Sequence, residues 1–338
     1  MSQLLIEITR GGRVESRHFG SVAVANGEGR VLAYAGDPYM PTYLRSAAKP
    51  IQAMNAILSG AADRFGLTEA EIAVMCGSHY AEDFHREAVL SILRKIGLPL
   101  DALKSPAGLS IKHSYAIKQA RENRVLDAAD SNCSGKHSGF LAACVARGYP
   151  VEGYMDPSHP VQRDVLAILA RMCDASEEMI GIGEDGCGVP VHYMPLYNMA
   201  LGYARLAAPQ TLPPEYDSVC ERIFSAMNAA PLMVAGTGGF CSELIAATEG
   251  RLVAKLGAEA VYCIGVKEWG LGVAVKIEDG MGNRALNPTV MSVLDQLGLL
   301  SSVEKGRLER FVRPRNVNEH GHEVGEIVPA FELKRTYA

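Results

Sequence analysis

No uninterrupted apolar stretch approaches the roughly 18 residues that a membrane-spanning helix needs, so no membrane span is expected. No dense Lys/Arg run is available to neutralise phosphates, and 33 basic residues face 38 acidic ones, which excludes a nucleic-acid-binding face of the usual kind. Neither Cys-x-x-Cys nor His-Glu-x-x-His occurs, so the two commonest short metal or redox spacings are missing. The first residues, Met1 to Arg10, lack the basic start and apolar core of an export signal, and a cytoplasmic location is expected. In that compartment the eight cysteines should be reduced, most of them acting as small buried hydrophobes. Repeats, low-complexity segments and long flexible linkers are also absent. With 48% hydrophobic and 21% charged residues, the 338-residue chain reads as one globular unit.

What is present divides by period. Ser21–Ala25 and Arg30–Tyr34 are β-prone runs around Asn26-Gly27-Glu28-Gly29, which predicts a hairpin. Lys49–Ser59, Ser158–Cys173, Pro214–Met227 and Thr289–Leu297 carry apolar residues at helical spacing. Thr68 and Glu71 form a capping-box pattern. Leu252–Leu256, Val261–Val266 and Gly272–Ile277 read as strands separated by short links. Strands at both ends and helices between them predict an α+β fold, an antiparallel sheet built from both termini with a helical subdomain. Residues 60–200 should be mainly helical, and 1–59 with 201–338 should supply the sheet region.

Six polar clusters stand out. In Arg45-Ser46-Ala47-Ala48-Lys49-Pro50, Ser46 and Lys49 lie one helical turn apart. A serine needs a base within reach, and a lysine becomes one when desolvation lowers its pKa. Ser302 and Lys305 fit the same pattern in a polar region, and at least one of the two matches is expected to be chance. Cys76-Gly77-Ser78-His79-Tyr80 follows a buried run, where sites are often displayed, although a simple turn fits it too. Lys255-Leu256-Gly257 ends a strand. Penicillin-recognising enzymes use Ser-x-x-Lys, a serine triplet and Lys-Thr-Gly in that chain order. The second element here lacks the Ser-Asp-Asn form and Leu256 replaces threonine, which counts against a β-lactam substrate.

The remaining clusters are less specific. Asp130 to Gly139 reads as a loop entering a helix, where free N–H groups favour a carboxylate. Gly183 to Pro190 reads as an exposed turn, whose Cys187 could pair with Cys133 around a metal or stand as an unrelated thiol. Ala235-Gly236-Thr237-Gly238-Gly239 lacks the phosphate-loop form and reads as a structural or substrate-facing turn.

Taken together, these segments resemble the L-asparaginases of the third structural class, the rhizobial type, from about residue 10 to about residue 330. Val275-Lys276-Ile277-Glu278-Asp279-Gly280 continues the match. The resemblance implies a fold similar to serine β-lactamases, penicillin-binding proteins and related glutaminases, and a homodimer. It implies one Ser-Lys tandem of Ser46 with Lys49 and a second of Ser78 with Lys255. It also implies zinc held by Cys133, Lys136 and Cys187, with Arg45, His137 and Asp185 at or beside the substrate. The expected activity is hydrolysis of L-asparagine to L-aspartate and ammonia. A serine glutaminase, a penicillin-recognising hydrolase and a non-catalytic zinc- or amino-acid-binding protein are the alternatives.

Overall fold

A computed structural model describes residues 1–336. Its main sheet is antiparallel and draws on both ends of the chain. Gln3–Arg10 pairs with Glu323–Pro329 on one side and with Arg13–Asn26 on the other. Arg13–Asn26 then pairs with Leu271–Ile277, which is followed outward by Val261–Val266 and Leu252–Gly257. The fold is α+β, as the distribution of strands and helices along the sequence implies.

The long strand Arg13–Asn26 changes partner midway. Its first half pairs with Gln3–Arg10, and from Gly20 onward it pairs with Leu271–Ile277. A Cβ at Gly20 would lie 2.2 Å from the carbonyl oxygen of Lys276, so the crossover requires glycine. The hairpin around Asn26 to Gly29 forms, with Val24 opposite Ala33 and Ala25 opposite Val31.

Val261–Val266 and Leu271–Ile277 are buried at every residue, which explains why they run apolar instead of alternating. The helix Leu196–Ala207 covers one of their faces. It comes so close at Gly272 that a Cβ there would meet the Ala200 carbonyl oxygen at 1.8 Å. Val273, Val275, Ile277 and Ile264 are fully buried, each stabilising the fold by about 1.5–3 kcal/mol relative to exposure.

The helices Lys49–Leu58, Glu69–Met75, Ser134–Arg147 and Pro160–Cys173 pack together beside this sheet. The capping box is present in full. Thr68 Oγ1 accepts from the Glu71 N–H, and the Thr68 N–H donates to Glu71 Oε2 at 2.7 Å. Among the described residues, no helix is long and apolar enough to cross a membrane.

A second sheet, of Pro41–Tyr43, Pro190–Pro195 and Gly181–Glu184, has no counterpart in the sequence reading. Its strands are only three to six residues long and two of them begin with proline, so no period is legible. It brings the chain entering Ser46 beside the turn that carries Asp185 and Cys187.

Candidate active site

Ser46 lies in a single 3₁₀ turn, Arg45–Ala48, which runs directly into the helix Lys49–Leu58. Pro50 near the start of that helix costs nothing, because its missing N–H would have had no partner there. Arg45 has a left-handed backbone, φ 50°, which a non-glycine residue adopts at a cost. The strand end holds it in place. A Cβ on Gly257 would lie 2.6 Å from the Leu44 carbonyl oxygen and 3.3 Å from Arg45 Cβ. Gly257 therefore lets the chain before Ser46 press against the strand of Lys255. The Tyr203 hydroxyl, fully buried, donates to the Ala47 carbonyl at 2.7 Å and fixes the turn from behind.

The side chains meet differently from the simple one-turn expectation. Lys49 is fully buried, and its amine donates to Gly77 O at 2.7 Å, Ser78 Oγ at 3.0 Å and Asn132 O at 3.2 Å. These three partners use all the donors of an ammonium, and none of them is Ser46. Lys255 Nζ reaches the same Ser78 Oγ at 2.9 Å and the Leu256 carbonyl at 2.6 Å. Ser78 Oγ thus bridges two buried amines, with half-buried Ser46 one turn before Lys49.

Both amines are held below the usual lysine pKa. Burial is the main cause for each, because it disfavours the charged form. For Lys255 it outweighs the opposing pull of the thiols, and the amine falls to about 8. Lys49 gains some charge stabilisation from Cys133 and loses some to Lys136.

A second cluster adjoins the first. Lys136 Nζ donates to Cys187 Sγ at 3.0 Å and lies 3.9 Å from Asp185 Oδ2. Asp185 Oδ1 accepts from Arg45 Nε at 2.9 Å. Burial raises the Asp185 carboxyl, but Lys136 and then Arg45 outweigh it and hold the group below the usual range. The Cys133 thiol is held well down, chiefly by the neighbouring Cys187 thiol and then by the charges of Lys49 and Lys136. The Cys187 thiol is correspondingly pushed up.

Gly183 to Pro190 is therefore not simply an exposed turn. Gly188 donates to the Asp185 carbonyl at 2.8 Å, and the turn points Cys187 inward with 6% exposure. His137 is also buried, and its Nδ1 pairs with the Tyr154 hydroxyl at 2.7 Å. Its remaining ring nitrogen has no protein partner among the described residues.

Two sequence patterns fall outside the site. Ser302 begins an exposed helix capped by Ser301, and Lys305 pairs with Asp295 at 2.8 Å, so that Ser-x-x-Lys is coincidental. The glycine loop after Ala235 folds around Tyr80; the Thr237 N–H donates to Glu82, and the Gly238 carbonyl accepts from Arg310. A Cβ at Gly236, φ 130°, would meet the Tyr80 ring at 2.6 Å, so this turn is structural. The sequence reading missed Asn132 O and Tyr203, which act through a carbonyl and a distant hydroxyl that no motif marks.

The site is a serine hydroxyl, Ser78 Oγ, held between two buried lysine amines, with Ser46 in the 3₁₀ turn beside the strand end that carries Lys255. A family model described as L-asparaginase II matches residues 6–329, and the chain belongs to that family. No curated protein sequence matches it. Among solved structures it is similar to a beta-lactamase from Mycobacterium bovis, at 13% identity and TM-score 0.39, over 82% of this chain and 94% of that one. It is similar also to Mglu in its native form, at 15% identity and TM-score 0.36, over 84% of this chain and 65% of that one. Likenesses this distant say nothing of activity.

Proposed function

We propose that the protein hydrolyses the side-chain amide of L-asparagine, with Ser46 as nucleophile. Ser46 Oγ forms a bond to the amide carbon and its proton passes to the Ser78 hydroxyl and the two amines it bridges, Lys49 and Lys255. The C–N bond then breaks and ammonia leaves with a returned proton. Water cleaves the resulting ester, which releases L-aspartate and restores the serine hydroxyl. The observation that carries this reading is the bridging of Ser78 Oγ between Lys49 Nζ and Lys255 Nζ, a proton relay one turn from Ser46.

A second reading makes Ser78 the nucleophile. A neutral Lys49 would give its two N–H groups to Gly77 O and Asn132 O and accept the Ser78 proton, and these three contacts favour it.

The test is ammonia release from L-asparagine and from L-glutamine, followed against pH. The base must be the neutral amine, so the rate should rise with pH through about 8, where Lys255 loses its proton. A larger kcat/KM for L-glutamine would make the protein a glutaminase. Binding of L-asparagine without ammonia release would leave only a binding protein.

Among the described residues no group of three His, Cys, Asp or Glu side chains could hold a metal, and the zinc proposed here rests on Lys136 joining Cys133 and Cys187 as a donor. These three converge in a buried cluster, one thiol is already held toward its anion, and soft donors suit this metal. A bound zinc would supply a fixed positive charge to orient a substrate oxygen. Lysine can ligate only as the neutral amine, so zinc affinity should fall as pH falls. Equilibrium dialysis should give one zinc per chain and a much weaker site in Cys133→Ala. Unchanged uptake in that variant would remove these residues as ligands.

A further inference from the structure

The turn that presents Ser78 is fastened on two sides. The Ser78 and Tyr80 N–H groups donate to Val234 O and Ala235 O, each at 2.9 Å. The His79 N–H donates to Asn132 O at 3.2 Å, and that carbonyl also accepts from Lys49. The His79 ring, fully buried, makes two further contacts. Nδ1 accepts the Ala81 N–H at 3.2 Å, and Nε2 lies 2.9 Å from Ser134 Oγ.

Those contacts select one tautomer. Ser134 gives its single hydroxyl proton to the Ala129 carbonyl at 3.1 Å, so its oxygen is left to accept. A proton on Nδ1 would face the Ala81 N–H. The ring is consistent at both ends only with hydrogen on Nε2 and a lone pair on Nδ1. His85 stacks on it with centroids 4.8 Å apart and planes 15° apart, which fixes the ring plane. Ala81, with φ 56°, bends the chain back so that its N–H reaches the ring.

We propose that His79, as the Nε2–H tautomer, is a positioning residue that locks the Ser78 turn to the start of helix Ser134–Arg147 and so holds Ser78 Oγ between the two lysine amines. It touches neither the substrate nor the reacting atoms. Its Ser134 bond ties the relay to the helix that begins beside Cys133 and carries Lys136. This inference rests on the amidohydrolase reading for its kinetic consequence, but the tautomer and its Ser134 bond stand apart from it.

Two variants separate the contacts. In His79→Gln the side-chain amide can still donate to Ser134. In His79→Asn the shorter amide can still accept from Ala81 but cannot reach Ser134. The expected result is a kcat fall of about 10²-fold in His79→Asn with little change in KM, the cost of a relay displaced by about an ångström. His79→Gln should recover most of that loss at similar thermal stability. Equal losses in both variants, tracking stability alone, would reduce His79 to a core residue and overturn the proposal.

The second arm needs no activity. Nitrogen-15 NMR of the imidazoles in the full-length protein at pH 7 should show a slowly exchanging Nε2–H for His79, lost in Ser134→Ala. A proton on Nδ1 would overturn the proposal. Failure of the wild-type protein to release ammonia would remove the amidohydrolase reading, and the NMR result would still decide the tautomer.

Discussion

Ser46→Ala is expected to lower kcat for ammonia release from L-asparagine by on the order of 10⁴-fold, with KM changed little. Ser78→Ala should cost less, about 10²–10³-fold, because it removes a relay and leaves the atom that forms the covalent bond. The reason lies in what each oxygen already does. Ser78 Oγ sits between two amines, so its lone pairs are engaged whenever those amines are protonated. Lys49 has no donor left for Ser46, and the half-buried Ser46 hydroxyl is free to meet an incoming carbonyl. Rapid acid quenching followed by peptide mapping should find an aspartyl adduct on the peptide containing Ser46. An adduct on the Ser78 peptide, with the larger loss in Ser78→Ala, would exchange the two roles.

Which parts of this were readable in the chain follows from the range of the forces involved. The capping box at Thr68, the hairpin after Asn26 and the helix start at Lys49 are local, set by residues within a few positions of each other. The buried strands from Leu252 to Ile277 announce themselves by composition, because both of their faces are covered. The small sheet around Tyr43, Ile182 and Tyr193 was not legible, since its strands are too short to show a period and Pro41–Tyr43 is specified by a partner strand 150 residues or more away.

The site divides the same way. Ser46, Lys49, Ser78 and Lys255 were legible as a set through the family resemblance, in chain order. The implied pair of Ser78 with Lys255 is in contact at 2.9 Å, but the turning of Lys49 to Ser78 instead of Ser46 was not legible, because Lys49 is aimed by two backbone carbonyls, Gly77 O and Asn132 O. Carbonyls carry no sequence signature. Nor does Gly257 advertise that it makes room for the chain at Leu44. The inward turn of Cys187 was hidden likewise, since a segment rich in glycine and acidic residues reads as solvent-facing until its partner Lys136 is placed.

Lys255→Met should separate catalysis from stability. Activity is expected to fall by about 10²–10⁴-fold, the usual contribution of a positioned acid–base group. The stability effect follows from linkage. The Lys255 amine titrates at about 8 in the folded protein, chiefly through burial, against about 10.4 in the unfolded chain. Between those values the unfolded chain binds more protons, so wild-type stability rises with pH across that window. The stability is present in full above about 10.4 and lost as pH falls through 8, a total of about 3 kcal/mol. Methionine fills a similar volume and carries no proton, so the variant lacks this dependence. It does forfeit the hydrogen bonds to Ser78 Oγ and the Leu256 carbonyl, an offset of about 1–3 kcal/mol that does not vary with pH in the same way. Measured by urea unfolding, the variant should therefore compare best with wild type at pH 7 and lose ground by about 3 kcal/mol as pH approaches 10.4. A difference that stayed flat from pH 7 to that limit would mean that Lys255 keeps an ordinary amine pKa. The candidate base would then be left to Lys49 alone, whose amine is lowered by the same burial and by the neighbouring charge of Lys136.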